Sequence, residues 1–353
     1  MKRLLLITTS YPIHPRLIKI GEMLKRTSKY SELIYFSFNF ENKKNNNKYN
    51  NEIILSYKTN IKYFKYFIGL KELLYVSKKN NINSFVCRGV LSLFLLKILF
   101  ISKKVYYDIP DLLENKKYLN ILEKFLLKKT NYIFLASRFF YKYYEKYFQK
   151  IIILENYPSK YTYKLDFKTK FNYSSKNKIL SFIGIIRYID VLKNLVDSVK
   201  DKEIDLLFFG SGTSEEELKN YCKKNKINNV HFFGEYNYME LYKFYNISDF
   251  VWAAYDYRID NVKYAISNKF YENILYEKIG IYSKFTELGS YVENNQIGLT
   301  IDCFNKEEME KLINSLINNN YLNIMDNIKK YKNTKKLFWE DQIEELNKLR
   351  EEK

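Results

Sequence analysis

At 353 residues, 46% of them apolar and 18% aromatic, the chain is longer than one typical core organises, and about two globular domains are expected. A formal charge of +19 admits nucleic acid or an anionic membrane surface as partners, but Lys, Asn, Tyr, Ile and Phe are abundant together, as an AT-rich genome favours, so the charge is a weak functional signal. Three cysteines, Cys87, Cys222 and Cys303, lie too far apart for a disulfide scaffold or a zinc ribbon, and a reducing, cytoplasmic setting is expected.

The first residues, MKRLLLITTSYP, carry an apolar run of only strand length, so no leader is expected. Residues 3–9 read as a strand and 15–25 as a helix with Pro15 at its first position, where proline is well placed. A strand at 32–38 precedes a polar Asn/Lys loop at 41–51. Further short strands are expected at 84–88, 104–109, 132–136 and 151–155, with helical patterns between them. The longest apolar run, 90–102, is interrupted by Lys97 and too short to span a bilayer, and reads as a buried or interfacial helix. Tyr157-Pro158-Ser159 and the polar stretch to Lys178 read as a linker. The rhythm then restarts, with strands at 179–185, 205–209, 230–233, 250–255, 280–283 and 298–301. Capping boxes are expected at Ser214–Glu217 and Asn305–Glu308. Two runs of βα units predict an α/β protein of two Rossmann-like, doubly wound parallel sheets. Such sheets bind ligands beyond the carboxyl ends of their strands, and a cleft between two domains is the default site.

Three segments carry chemistry. Residues 267–284, SNKFYENILYEKIGIYSK, begin a helix with polar Ser267, Asn268 and Lys269, and the N–H groups of such a helix start suit a diphosphate. Glu272, one turn further in, can accept hydrogen bonds from a ribose diol. In FIGIIRYIDVLKN, Gly184 marks a strand-end turn, and Arg187 and Lys193 can neutralise a diphosphate. The GSGT loop, with Gly210 and Gly212, follows a strand and opens a helix. A dinucleotide fingerprint would need a third glycine where Glu215 stands, although Glu235 could act as its ribose-binding acid.

These segments resemble the retaining glycosyltransferases of family 4 and their GT-B relatives. Lys269 and Glu272 keep the K-x-x-E spacing of the family's donor segment. Gly184, Arg187 and Lys193 resemble its G-R-L-x-x-x-K. Residues 230–250 resemble its V-x-F-x-G and following E-L element, which places Glu235, Tyr236 and Asn237 where the base is held. In the first half, Ile13-His14-Pro15-Arg16 resembles a D-P-R loop with His14 in place of the Asp. Asp108-Ile109-Pro110-Asp111 resembles a D-x-H-D element with Pro110 in place of the histidine.

The resemblance implies a GT-B architecture in which two domains face a central cleft: an acceptor domain at 1–158, a donor domain at 159–335, and a final helix at 336–353 packing back on the first domain. It implies transfer from a nucleotide-diphosphate sugar to a glycan or lipid-linked acceptor in surface polysaccharide synthesis, with retention and with the leaving diphosphate as base. His14, Asp108 and Asp111 would serve the reacting groups. Gly184, Arg187, Lys193, Gly210, Gly212, Glu235, Tyr236, Ser267, Asn268, Lys269 and Glu272 would hold the donor. No cofactor or metal is expected: there is no D-x-D sequence, and cations and helix N-termini would meet the charge on the leaving group. The family's E-x7-E is incomplete, because Tyr264 stands where the first acid belongs.

Other readings stay open on these residues. GSGT and Glu235 admit an NAD(P)-dependent oxidoreductase. The charge admits a basic nucleic-acid module, although it is spread along the chain without a basic-aromatic motif. The lost histidine and first acid admit a catalytically degenerate relative. The basic first domain, with its apolar helix, would suit docking on an anionic inner leaflet.

Overall fold

A computed structural model describes residues 2–9, 11–27, 29–39, 51–56, 64–113, 117–164 and 171–347. The loop expected at 41–51 lies outside them except for Asn51, as do part of the expected linker (165–170) and the last six residues. The chain divides into two compact units, Met1–Asn156 with Gln342–Lys353, and Tyr157–Asp341.

The first unit runs β1 (Arg3–Thr8), α1 (Pro15–Arg26), β2 (Glu32–Asn39), β3 (Glu52–Ser56), α2 (Phe64–Lys79), β4 (Ile82–Arg88), α3 (Val90–Leu99), β5 (Lys104–Ile109), α4 (Lys117–Leu127), β6 (Tyr132–Leu135), α5 (Tyr141–Tyr144) and β7 (Ile151–Ile153). The seven strands form a parallel sheet in the order β3-β2-β1-β4-β5-β6-β7, so the direction of winding reverses between β1 and β4. Its central strands are buried almost throughout, as a sheet covered on both faces requires. β3 is not among the expected strands. Its apolar run is only Ile53-Ile54-Leu55, which reads as loop until it is paired on the edge of β2. Most of α3 is interior: Val90, Leu93, Leu95 and Leu96 are buried.

The second unit runs α6 (Lys160–Lys164), β8 (Lys178–Ile183), α7 (Ile189–Val199), β9 (Ile204–Phe209), α8 (Glu215–Lys224), β10 (Val230–Phe232), α9 (Leu241–Ile247), β11 (Phe250–Ala253), α10 (Asp260–Tyr264), α11 (Asn268–Leu275), β12 (Ile279–Ser283), α12 (Glu287–Asn295), β13 (Leu299–Ile301), α13 (Lys306–Asn318) and α14 (Leu322–Thr334). Its six parallel strands follow the order β10-β9-β8-β11-β12-β13, and here the winding reverses between β8 and β11. The Asn305 cap forms, its side chain accepting from the Glu308 amide at 3.1 Å. The Ser214 cap does not. Ser214 sits in helical geometry and makes no side-chain cap bond, and its own amide instead donates to Ile186 O at 3.1 Å.

Near the end, Trp339 is buried and its amide donates to Pro158 O (2.9 Å), while Glu340 accepts from the Ser159 hydroxyl and the Lys160 amide. Gln342 then returns the chain to the first unit. Its side-chain amide takes both backbone groups of Glu155, accepting from its N–H at 2.7 Å and donating to its carbonyl at 2.9 Å. The expected terminal helix is short where described, a 3₁₀ turn followed by α15 (Ile343–Asn347).

Candidate functional site

In the second unit, β8 and β9 end in glycines that let two loops nest. Gly184 and Gly210 have φ of +133° and +124°, which side-chain-bearing residues rarely adopt. The Gly184 amide donates to Phe209 O at 2.7 Å and the Ile186 amide to Ser211 O at 3.0 Å. A Cβ on Gly210 would stand 2.1 Å from Gly184 O, and one on Gly212 would stand 2.2 Å from Ile186 O. The glycines of GSGT are therefore explained by loop-on-loop packing. The loop is fixed further by the Ser211 hydroxyl, which donates to Glu235 at 2.8 Å.

α11 aims its first turn at this place. Ser267 caps the helix, its hydroxyl accepting from the Lys269 amide at 3.4 Å. The Lys269 side chain is buried. Its ammonium donates to the Tyr255 hydroxyl at 2.5 Å and faces the rings of Phe182 and Tyr255 at 5.1 and 5.2 Å. It lies 3.0 Å from where a Gly184 Cβ would stand, so a held cation meets the strand-end turn directly.

Glu272, one turn on, is 4% exposed. Its carboxylate accepts from the Tyr238 hydroxyl at 3.1 Å and from the buried Tyr245 hydroxyl at 2.8 Å. Burial first, and then the Glu272 charge, raise the pKa of Tyr236, Tyr238, Tyr245 and Tyr276, so these phenols stay protonated beside the acid. A small cavity opens beside Glu272, lined in part by Tyr238, Leu241, Leu275 and Tyr276. Tyr238 belongs to the short turn Tyr238–Glu240. Its residue is 44% exposed overall while its hydroxyl is turned in toward Glu272.

The other expected donor residues are placed differently. Arg187 is exposed, with its guanidinium 4.9 Å over the Tyr188 ring. Lys193 extends to α8 and pairs with Glu217 at 2.6 Å. Asn268 is exposed at the first position of α11, and Tyr236 packs edge-on against Phe244. The partners Tyr255, Tyr238 and Tyr245 escaped the sequence reading. Among 35 tyrosines, nothing in the pattern singles them out.

In the first unit, charged groups gather at the carboxyl ends of β1, β4 and β5. Arg16 Nε donates to both oxygens of Asp108, at 2.9 and 3.2 Å, and both side chains are buried. Burial raises the Asp108 pKa, while the Arg16 and Arg88 charges oppose that rise. Arg88, the last residue of β4, stands 3.7 Å from Asp111, whose side chain is exposed. His14 caps α1, its Nδ1 accepting from the Arg16 amide at 3.2 Å. Burial, then the Arg88 and Arg16 charges, lower its pKa to about 4, against a smaller opposing effect of Asp111. A neutral His14 whose Nδ1 accepts keeps its proton on Nε2. Of the three residues expected to serve the reaction, Asp108 is enclosed by its ion pair, Asp111 is exposed, and His14 is solvent-accessible as a residue while neighbouring groups desolvate its ring. Arg16 and Arg88, the cations that organise this cluster, were not among the expected site residues. Among the described residues, no group of three or more His, Cys, Asp or Glu side chains converges as a metal site would.

Residues 164–335 match the family model described as Glycosyl transferases group 1. The match spans just under half of the chain and lies almost wholly in the second unit, which resembles a group 1 glycosyltransferase domain. No curated protein matches the chain significantly. Among solved structures, the chain is similar to sucrose-phosphate synthase from Thermosynechococcus elongatus (11% identity, 99% of this chain and 98% of that one covered, TM-score 0.72). It is also similar to HepE from Anabaena in complex with UDP and glucose (10% identity, 99% of each covered, TM-score 0.74). A glycosyltransferase from Rickettsia africae gives 14% identity, 99% and 97% coverage and a TM-score of 0.69. At such identities the likeness establishes the fold, the two-domain GT-B architecture. The Lys269–Glu272 helix, the Gly184 turn and the GSGT loop all fall inside the matched residues. No helix of the described residues is long and apolar enough to cross a membrane.

Proposed function

We propose that the protein transfers a sugar from a nucleoside-diphosphate sugar to a glycan or lipid-linked acceptor in surface polysaccharide synthesis, as a retaining, family 4-like enzyme that requires no metal. The observation that carries this reading is the position of the buried Lys269 ammonium against the Gly184 turn, one helical turn from the Glu272 carboxylate. A diphosphate at the turn would find the ammonium and the N-terminus of α7, where Tyr188 makes no side-chain cap bond. These positive groups would stabilise the leaving diphosphate, which on this reading also accepts the acceptor's proton.

The ribose diol would reach Glu272. Tyr245 is deep in the unit and Tyr238 sits on a surface turn, so the Tyr238 hydroxyl is the partner that a ribose hydroxyl would replace. UDP in the HepE complexes makes a uridine nucleotide the first donor to test. The acceptor class places the reaction at the cytoplasmic side of a membrane.

The test is turnover. Purified protein is incubated with UDP- and GDP-sugars and lipid-linked saccharide acceptors, nucleoside diphosphate release is followed, and the anomeric configuration of the product is read by NMR. Acceptor-dependent release with retention, without added metal and with chelator present, is expected. Inversion, or a strict metal requirement, would contradict the mechanism. A domain that binds nucleotide but never turns over would be the degenerate relative that Pro110 and Tyr264 suggest.

A further inference from the structure

Among the described residues, no carboxylate supplies the Lys269 ammonium with a counter-charge. The residue is 8% exposed, and the one acceptor its ammonium reaches is the Tyr255 hydroxyl at 2.5 Å, with the rings of Phe182 and Tyr255 beside it. Buried cations are ordinarily paired, because taking a charge out of water is costly. An ammonium carries three donors and no acceptor, so in this contact Lys269 donates and the Tyr255 oxygen accepts. The phenolic proton is left to be given elsewhere, and nothing among the described residues takes it. An N–H and an O–H donor therefore stand side by side, with neither a carboxylate nor a carbonyl of the described chain to receive them.

Tyr255 is held firmly just past the end of β11. Ser283, the last residue of β12, clamps its backbone: the Tyr255 amide donates to Ser283 Oγ at 2.6 Å, and the same hydroxyl donates to the Tyr255 carbonyl at 2.6 Å. Its ring meets Phe182 and Tyr188 edge-on, with centroids 6.5 and 6.0 Å apart. Tyr188 has a φ of +65°, sparsely populated by bulky side chains, and the Arg187 guanidinium lies 4.9 Å over its ring. Such strain persists where the surroundings impose it, and here it sets a second cation on the ring that supports Tyr255. Gly184 follows β8 and Tyr255 follows β11, the two strands between which the winding of this sheet reverses. Doubly wound sheets bind their ligands at that switch point.

We infer that Tyr255 binds the donor's diphosphate directly, donating its hydroxyl proton to one phosphate oxygen while the Lys269 ammonium meets another. The inference rests on the nucleoside-diphosphate reading and adds to it a residue that no spacing in the sequence singles out. Two donors joined by one hydrogen bond match neighbouring oxygens of a diphosphate, whose charge offsets that of the ammonium. The ammonium also polarises the phenol that accepts from it, which makes the hydroxyl a stronger donor than a lone tyrosine. A neutral sugar hydroxyl would satisfy the phenol and leave the buried charge unmatched.

Titration of UDP and GDP into the full chain by calorimetry tests it, with uridine and guanosine, read by ligand-observed NMR, as phosphate-free controls. Tyr255→Phe keeps the ring beside the ammonium and removes only the hydroxyl. It should weaken the diphosphate that wild type binds about tenfold, as loss of a hydrogen bond to a charged group does, and leave the matching nucleoside unchanged. In a Lys269→Met background the same change should cost no more than about threefold, because the two donors act as a pair. Equal loss of diphosphate and nucleoside would assign Tyr255 to the fold alone and overturn the inference. So would a diphosphate affinity that Lys269→Met lowers and Tyr255→Phe leaves unchanged, an outcome that keeps the donor reading intact. Wild type binding neither diphosphate would overturn both together.

Discussion

Two residues of the first unit show how chemistry expected of a reaction is also bound into the fold. His14, one of only two histidines, serves as the N-cap of α1 with its pKa lowered to about 4 from 6.5. As pH falls, the unfolded chain takes up this proton first. The stability contributed by neutral His14 is therefore complete above about 6.5 and is lost between about 6.5 and about 4. His14→Asn keeps a capping acceptor without the titration. Thermal melts across that window should show a shallower fall in stability for the variant, and parallel profiles would refute the assignment. Asp108 faces Arg16 inside the protein, so Asp108→Asn should cost about 3–5 kcal/mol in urea unfolding, the range for breaking a buried pair from one side. Replacing both partners with Arg16→Met/Asp108→Leu should recover much of that loss. A single variant as stable as wild type would mean the pair carries little. The identity of these residues was legible in the sequence. Their enclosure was not, because it depends on β1, β4 and β5 bringing residues 16, 88 and 108 together across long stretches of chain.

At the scale of elements, the strands read well because buried parallel strands are short apolar runs. All six of the second unit were expected close to their observed bounds. The failures have local causes. β3 offers three apolar residues at a sheet edge, and the Ser214 cap lost its amide to Ile186 once the two glycine loops nested. That nesting predicts the sensitivity of the loops. Gly210→Ala must adopt an unfavourable φ and approach Gly184 O, costing about 1–3 kcal/mol for the backbone alone before any clash is relieved. Chemical denaturation should show the drop, and a midpoint equal to wild type would mean that the loops do not pack as described. α11 was legible as a helix with a polar start and an inward acid. Its tyrosine partners come from the turn at 238–240, from α9 and from beyond β11, and only the fold identifies them.

At the scale of the whole molecule, length predicts two domains and the two runs of βα units predict their α/β class, and the two parallel sheets have the doubly wound order that this implies. The charge of +19 is uninformative as a sum. α4 carries Tyr118, Leu119, Ile121, Leu122, Phe125, Leu126 and Leu127, apolar nearly all round, so the sequence alone could not say which side faces water.

The central claim is that α11 holds a nucleoside diphosphate, and calorimetric titration of UDP, GDP, CMP and NAD into wild type, Glu272→Gln and Tyr238→Phe tests it most directly. One nucleoside diphosphate should bind wild type. Loss of a charged hydrogen-bond acceptor in Glu272→Gln should weaken binding about 10- to 100-fold. Tyr238→Phe, which removes the hydroxyl that competes for the carboxylate, should bind about fivefold more tightly. Binding of NAD alone, or a nucleoside diphosphate bound equally by all three proteins, would contradict the placement of the donor site.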